Sequence, residues 1–169
     1  MTKASCALYL VRHAIAGDRG EEWPDDAKRP LTHKGVARMR EVVSGLAAHD
    51  PEIEVVLTSP LVRAKQTADV LVEGLKAAPI LIVTPALAPG STPTQVSEEL
   101  AKQQKHRSIA LVGHEPDLGE LAAWLIGARA PLVFKKGGIA RIDVSSLPPT
   151  RPGQLVWLAP PKMLRALAK

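Results

Sequence analysis

The sequence contains a single cysteine, Cys6, and only 3% of its residues are aromatic. A lone cysteine cannot form an internal disulfide, so we expect a reducing, cytoplasmic location with Cys6 as a small buried thiol. The scarcity of aromatic residues leaves few side chains that could stack on nucleic acid bases. No stretch approaches the roughly 20 apolar residues that span a bilayer, so we expect no membrane partner. The apolar run at residues 4–11 lacks a small-residue cleavage pattern and leads straight into Arg12, which argues against a signal peptide.

The formal net charge is +5, but the basic residues are spread along the chain, with the densest groups at residues 102–107 and 135–141. A nucleic acid site needs clustered lysine and arginine to neutralise phosphates, so we expect no nucleic acid partner. A mildly basic surface suits an acidic protein or a phosphorylated ligand instead. With 46% hydrophobic residues in a chain of 169, residues 1–169 are predicted to form a single domain.

Strand and helix patterns alternate along most of the chain. Short apolar runs predict strands at residues 7–11, 54–58, 80–83 and 108–112, and a hairpin joins residues 140–144 to 155–158. Helices are predicted at residues 33–48 after a Thr32 cap, from Ser59 and Pro60 through Leu75, at residues 94–105 after a Ser91 or Thr92 cap, and at residues 118–126. This order predicts an α/β fold, a three-layer α/β/α sandwich whose mostly parallel sheet has an antiparallel edge.

Polar side chains follow three of the predicted parallel strands. Arg12 and His13 follow the first strand, Arg63 lies in the first helical turn after the second, and His114 follows the fourth. Ligands of open α/β sheets bind at the carboxyl ends of the strands, so we expect these side chains to converge. Two arginines and a helix N-terminus can donate hydrogen bonds to the oxygens of a tetrahedral dianion such as phosphate, and a neutral histidine can attack its phosphorus. Two histidines without cysteine or carboxylate ligands give poor support for zinc, so we expect neither a metal nor a cofactor.

Four short blocks occur in order between residues 8 and 126. They are Arg12-His13 after a strand, Pro30-Leu31-Thr32 with Gly35, Ser59-Pro60 with Arg63, Ala64, Gln66 and Thr67, and Gly113-His114. Together they resemble the histidine phosphatase, or phosphoglycerate-mutase-like, superfamily. The short chain, the Arg-Pro-Leu-Thr sequence from Arg29 and the Gly-His-Glu-Pro-Asp sequence from Gly113 are most similar to its small SixA branch, the phosphohistidine phosphatases.

The resemblance implies that His13 is a transiently phosphorylated nucleophile, and that Arg12, Arg63 and His114 hold the nonbridging phosphate oxygens. Such a reaction needs alignment and positive charge around the equatorial oxygens, which arginines supply. His13 must be neutral to attack, whereas His114 stabilises more charge when protonated. Since free histidine titrates at about 6.5, neighbouring groups must separate the two roles. The family's usual Arg-His-Gly triplet is Arg-His-Ala here. Alanine, unlike glycine, disfavours positive φ, so Ala14 fits this position only if the backbone there has a negative φ.

The remaining basic residues are expected to lie at the surface. Some of them can extend an anion site, although we expect solvated charges: Arg29, Lys135, Lys136 and Arg141. Three further histidines are also predicted at the surface: His33, His49 and His106. Trp23 can line the rim of the pocket or simply pack its own loop.

The segment after the third strand, residues 85–94, contains no carboxylate. Many relatives that cleave phosphate esters carry a Glu or Asp there as general acid. An alkoxide needs a proton to leave, worth about 10²- to 10⁴-fold in rate, whereas a protonated phosphoimidazole leaves readily without one. The carboxylates that can substitute are Asp18, Glu115 and Asp117.

Three functions are compatible with these residues. The missing acid and the lack of an insertion that could form a lid favour a phosphohistidine phosphatase, whose partner is a phosphorylated protein such as a histidine phosphotransfer-type domain. The second is a phosphomonoesterase acting on a small phosphorylated metabolite or nucleotide. The third, a noncatalytic phosphate-binding module, is disfavoured because all four site residues are retained.

Overall fold

Six strands form one sheet in the computed structural model, which describes residues 6–168. Residues 1–5 and 169 of the predicted domain lie outside the described residues. They include the first two residues of the apolar run at positions 4–11. The strands are β1 (Cys6–Arg12), β2 (Val55–Thr58), β3 (Ile80–Val83), β4 (Ser108–Gly113), β5 (Ile139–Val144) and β6 (Gln154–Ala159).

Helices cover both faces of the sheet. They are α1 (His33–Ala47), α2 (Val62–Gly74), α3 (Pro93–Ala101), α4 (Asp117–Ile126) and α5 (Pro161–Ala166), with 3₁₀ turns at Asp26–Lys28 and Pro85–Leu87. Within the described part of the chain, no helix combines the length and the apolar character that crossing a membrane requires.

The strand order is β3-β2-β4-β1-β5-β6. β3, β2, β4 and β1 pair in parallel, whereas β5 runs antiparallel to both β1 and β6. Helices α1, α2 and α5 pack together on one face, and α3 and α4 pack on the other. The structure confirms the predicted three-layer α/β/α architecture with an antiparallel edge.

β1 is buried on both faces because helices cover each side of the sheet, and its two edges are paired with β4 and β5. Leu8 and Leu10 belong to the apolar cluster beneath α3 and α4, whereas Tyr9 and Val11 belong to the cluster beneath α1 and α2. This division follows from the two-residue repeat of a strand, which sends successive side chains to opposite faces. The strand is thereby fixed in the core, and its carboxyl end sets where Arg12 and His13 leave the sheet.

The start of α1 holds the segment that follows His13. Thr32 caps the helix as predicted, since its Oγ accepts the Gly35 N–H at 2.9 Å. The Thr32 N–H in turn donates to the Ile15 carbonyl at 3.0 Å. A Cβ on Gly35 would collide with that same carbonyl, so glycine permits the close approach of helix and segment.

Two helix predictions need correction, and one helix was not predicted. Ser59 and Pro60 do not begin α2, which starts at Val62 after Leu61, because the Ser59 N–H continues the ladder of β2 by donating to the Val112 carbonyl. The predicted helix 94–105 ends at Ala101, where the chain tightens into turns such as the one from the Lys102 N–H to the Glu99 carbonyl. The short α5 was not predicted, since six residues show too little periodicity.

Candidate active site

The carboxyl ends of β1, β2 and β4 meet at one edge of the sheet. The His13 N–H donates to the Gly113 carbonyl at 3.1 Å, and the Ser59 N–H donates to the Val112 carbonyl at 3.1 Å. A cavity of about 400 Å³ opens at this edge. The structure brings all four predicted site residues to its lining: Arg12, His13, Arg63 and His114.

Hydrogen bonding defines the tautomer of His13. Its Nδ1 lies 2.7 Å from the Ala14 carbonyl oxygen, which only accepts, so Nδ1 carries the hydrogen and Nε2 keeps a lone pair. Burial, together with the charges of Arg63, Arg12 and Arg29, lowers the pKa of His13 to about 4, despite the opposing hydrogen bond to Ala14. His13 is therefore a neutral imidazole at neutral pH, with its basic nitrogen unprotonated.

Ala14 fits where the family usually has glycine. Non-glycine residues with positive φ in the described chain are Asp50, Glu52 and Ala78, so Ala14 has a negative φ, as its tolerance required. The Ala14 N–H donates to Thr67 Oγ at 3.0 Å, and that hydroxyl donates to the Arg63 carbonyl at 2.8 Å. Thr67 thus links the backbone after His13 to the first turn of α2.

Arg12 is held by the segment before β5. Its Nη1 donates to the Phe134 carbonyl at 2.7 Å, while the Gly137 N–H donates to the carbonyls of Arg12 and His13, each at 3.1 Å. Glu115 steadies this arrangement, since its carboxylate accepts the N–H groups of Gly119 at 2.8 Å and Phe134 at 3.5 Å. Arg12 is therefore fixed at one guanidinium nitrogen while its others remain for a ligand.

Arg63 is paired with Asp26, a residue that the sequence reasoning did not single out. Arg63 Nη1 donates to the Asp26 carbonyl at 2.9 Å, and Nη2 donates to its carboxylate at 3.0 Å. Burial opposes ionisation of Asp26, but the hydrogen bond from Arg29 and the charges of Arg63 and Arg29 outweigh it and hold its pKa below the usual range. The carboxylate is charged and orients the guanidinium of Arg63.

Arg29 corrects the prediction of a solvated charge. Its side chain is buried, and it donates to Asp26 Oδ1 at 3.0 Å and to the Gly17 carbonyl at 2.7 Å. The i, i+3 spacing of Asp26 and Arg29, just before the α1 cap, was the available sequence signal.

The other residues considered for the rim of the site are placed differently. Lys136 lines the cavity while remaining exposed, whereas Lys135 and Arg141 do not line it. Trp23 packs beside Gly17.

His114 is buried beside His13, with ring centroids 5.2 Å apart. Its Nε2 lies 2.7 Å from Ser59 Oγ. Burial is the main cause that lowers the pKa of His114 to about 3, followed by the repulsion that a protonated His13 would exert and by the charge of Arg63. Both histidines are thus held neutral, and the expected separation of their roles does not arise from their pKa values.

Three buried nitrogens of the site have no hydrogen-bond partner within residues 6–168: Arg12 Nε, Arg63 Nε and His114 Nδ1. Buried polar groups are normally paired, so these nitrogens, on three residues that line the cavity, are available for a hydrogen-bonding ligand. Over the same residues, no three His, Cys, Asp or Glu side chains are grouped so that they could hold a metal ion.

The three possible acids are placed differently. Asp18 and Glu115 line the cavity, but the Glu115 carboxylate accepts from the backbone as described above. Asp117 accepts the Gly90 N–H at 2.7 Å and so holds the segment 85–94 against α4. The crevice between that segment and α4 encloses only about 10 Å³, too little for a substrate group. Pro89 is the residue of that segment on the cavity lining.

Comparisons with known proteins agree with this geometry. The profile of the histidine phosphatase superfamily, branch 1, matches residues 8–88. The chain is 35% identical to an uncharacterized protein of Picosynechococcus sp., over 93% of this chain and 98% of that protein. It is 30% identical to the phosphohistidine phosphatase SixA of Escherichia coli, over 81% of this chain and 84% of that protein. A solved structure of the protein histidine phosphatase SixA complexed with tungstate superposes with a TM-score of 0.83 and 28% identity, covering 94% of this chain and 99% of that one.

The chain belongs to the histidine phosphatase superfamily. It is accordingly a phosphatase, a hydrolase of phosphorylated compounds. Within the superfamily it falls in the SixA-type branch, as the sequence blocks indicated.

Replacing Asp26 tests the ion pair that orients Arg63. We expect Asp26→Asn to lower kcat for an aryl phosphate about tenfold, because Arg63 loses one charge-assisted bond and its alignment with the phosphoryl group. Binding of inorganic phosphate is expected not to weaken, since a negative charge leaves the cavity. Steady-state kinetics and calorimetry measure the two effects. Glu21→Gln, an exposed acid in the same loop, is the matched control, and an unchanged kcat for Asp26→Asn would contradict the role.

Proposed function

We propose that the protein removes the phosphoryl group from a phosphohistidine on another protein through a phosphohistidine intermediate on His13 Nε2. The observation that carries the proposal is the hydrogen bond from His13 Nδ1 to the Ala14 carbonyl, which leaves a neutral Nε2 as nucleophile. That nitrogen belongs to a cavity with two arginines and a second histidine.

In the first step, the Nε2 lone pair of His13 forms a bond to phosphorus while the phosphorus–nitrogen bond of the substrate breaks. The substrate imidazole, protonated on its other nitrogen, leaves as a neutral group. Arg12, Arg63 and His114 donate to the three nonbridging oxygens and balance their charge. A water molecule then attacks phosphorus, phosphate is released, and His13 returns to its neutral form.

The carboxylates around the cavity support phosphohistidine over a phosphate ester as substrate. Segment 85–94 carries none and Asp117 is bonded to Gly90. On the cavity lining, Glu115 is bonded to Gly119 and Phe134 and Asp26 is paired with Arg63 and Arg29, so Asp18 is the lining carboxylate that the leaving-group experiments must test. An alkoxide would need an acid at this position, whereas a protonated imidazole does not.

The proposal needs no metal ion, because the positive charge that phosphoryl transfer requires comes from Arg12 and Arg63. It also places the protein in the cytoplasm, a location in keeping with its single buried thiol at Cys6. A phosphorylated histidine phosphotransfer-type domain is the proposed partner, and exposed Lys136 at the cavity gives such a protein a positive contact.

The deciding experiment compares two substrates with the same enzyme preparation. We expect a phosphorylated histidine phosphotransfer domain to be dephosphorylated with a higher kcat/KM than alkyl phosphates such as sugar phosphates and nucleotides. Faster turnover of one small phosphate ester would favour the phosphomonoesterase instead. Binding of phosphate without turnover of either substrate would favour the noncatalytic phosphate-binding module.

The pH dependence of activity tests whether neutral His13 is the nucleophile. Its pKa of about 4 means that the neutral form persists until the pH falls to that value. After correction for ionisation of the substrate, kcat/KM should therefore decline only at about pH 4. A decline centred at about 6.5, the ordinary value for histidine, would contradict the assignment. Circular dichroism must accompany the assay, since below about pH 6.5 histidines of the unfolded chain take up protons that buried His13 does not, and stability falls.

A further inference from the structure

Ser59 lies directly after β2 and is held by several hydrogen bonds, and the mechanism above does not use it. Its side chain is fully buried. Its N–H donates to the Val112 carbonyl at 3.1 Å, its Oγ accepts the Leu61 N–H at 3.2 Å, and the same Oγ lies 2.7 Å from His114 Nε2. The residue therefore joins the backbone before α2 to the ring of His114.

The direction of the bond between Ser59 and His114 follows from counting donors. A hydroxyl has one hydrogen to donate. If Oγ accepted from both Leu61 and His114, its own hydrogen would have no acceptor among the bonds described for Ser59. Buried donors are seldom left unpaired, so the arrangement that satisfies Ser59 has Oγ donating to His114 Nε2. Nε2 is then the acceptor, and the hydrogen of the neutral ring lies on Nδ1.

We propose that Ser59 is a positioning residue that holds His114 in the tautomer with hydrogen on Nδ1, so that this buried, unpartnered nitrogen donates to a phosphoryl oxygen. The proposal rests on the phosphatase function proposed above and deepens it. With the hydrogen on Nε2, a lone pair on Nδ1 would repel the phosphate oxygens instead.

The two histidines would then share one tautomer and act through opposite nitrogens. His13 donates from Nδ1 to the Ala14 carbonyl and presents the lone pair of Nε2. His114 accepts at Nε2 from Ser59 and presents the hydrogen of Nδ1. Backbone and hydroxyl partners can thus make one ring a nucleophile and the other a donor, although both rings are neutral.

Nitrogen-15 NMR of the resting protein tests this tautomer directly. We expect the wild-type His114 ring to show a protonated, pyrrole-type Nδ1 and an unprotonated, pyridine-type Nε2. In Ser59→Ala, the ring should move toward hydrogen on Nε2, because no donor remains there. Inorganic phosphate should bind about 3- to 10-fold more weakly, the effect of losing one neutral hydrogen bond.

Two further variants make the result specific. Ser108→Ala removes another buried hydroxyl, which donates to the Pro51 carbonyl at 3.1 Å from the opposite end of β4, and should leave both readouts unchanged. Ser59→Thr keeps the donor and should restore the wild-type ring signals.

Hydrogen on Nε2 in wild-type His114, or an unchanged spectrum in Ser59→Ala, would overturn the role of Ser59. The wild-type spectrum decides the tautomer even where a variant fails to fold. These readouts use no substrate turnover, so a failure to hydrolyse phosphohistidine would refute the proposed function while leaving the tautomer result in place.

Discussion

Replacing His13 with alanine is expected to abolish turnover and phosphoenzyme formation while the fold survives. The substitution removes the only nitrogen that the proposed mechanism lets attack phosphorus, so kcat should fall by at least about 10³-fold. The structural loss is small, because the hydrogen bond described for the ring is the one to the Ala14 carbonyl. Losing a single neutral hydrogen bond changes the free energy of unfolding by about 1 kcal/mol.

Labelling with a phosphohistidine donor and detecting an acid-labile, base-stable phosphoenzyme checks this expectation, and chemical denaturation checks the fold. His33→Ala, at an exposed histidine at the start of α1, is the matched control and should label like the wild type. Label that persists in His13→Ala would place the nucleophile at another residue.

The second large effect concerns the leaving group. If the site supplies no general acid, the rate depends on how well the leaving group departs unaided, so phosphohistidine and activated aryl phosphates should react far faster than alkyl phosphates. Losing acid assistance at an alkoxide should cost about 3 to 5 kcal/mol of barrier, or roughly 10²- to 10⁴-fold in rate. A steep dependence of kcat/KM on leaving-group pKa across a series of monoesters measures the effect where chemistry limits the rate.

Asp18→Asn is the companion variant, because Asp18 lines the cavity. We expect the dependence on leaving-group pKa to be the same in this variant and the wild type. Efficient hydrolysis of a sugar phosphate with a shallow dependence would contradict the account. If Asp18→Asn then made that dependence steep, Asp18 would be the acid.

The parts of the fold that the sequence predicts well are those dominated by apolar burial. β1 and β4 are continuous apolar runs because both faces are covered, and the α1 cap is visible because Thr32 precedes a helical period. The start of α2 is different. There the hydroxyl of Ser59 faces a histidine 55 residues away in sequence, a contact that no local pattern contains.

The same distinction applies to the site. Arg12, His13, Arg63 and His114 can be expected to converge because each follows a strand directly or lies in the first turn after one. Asp26 was missed and Arg29 was wrongly expected to be solvated, because the pairing of Asp26 with Arg63 and the burial of Arg29 depend on a 3₁₀ turn and on the Gly17 carbonyl, which have no periodic signature. The catalytic roles of the four convergent residues stay predictions until the variants are measured.

Thr67 has a consequence for motion at the site. The Thr67 hydroxyl accepts the backbone N–H of Ala14 and donates to the carbonyl of Arg63. It therefore connects the backbone that follows His13 to the first turn of α2, which carries Arg63. A fluctuation that lifts the first turn of α2 therefore also strains the hydrogen bond that holds the backbone after His13. Motion of Arg63 and motion of the chain after the nucleophile are coupled through this one hydroxyl.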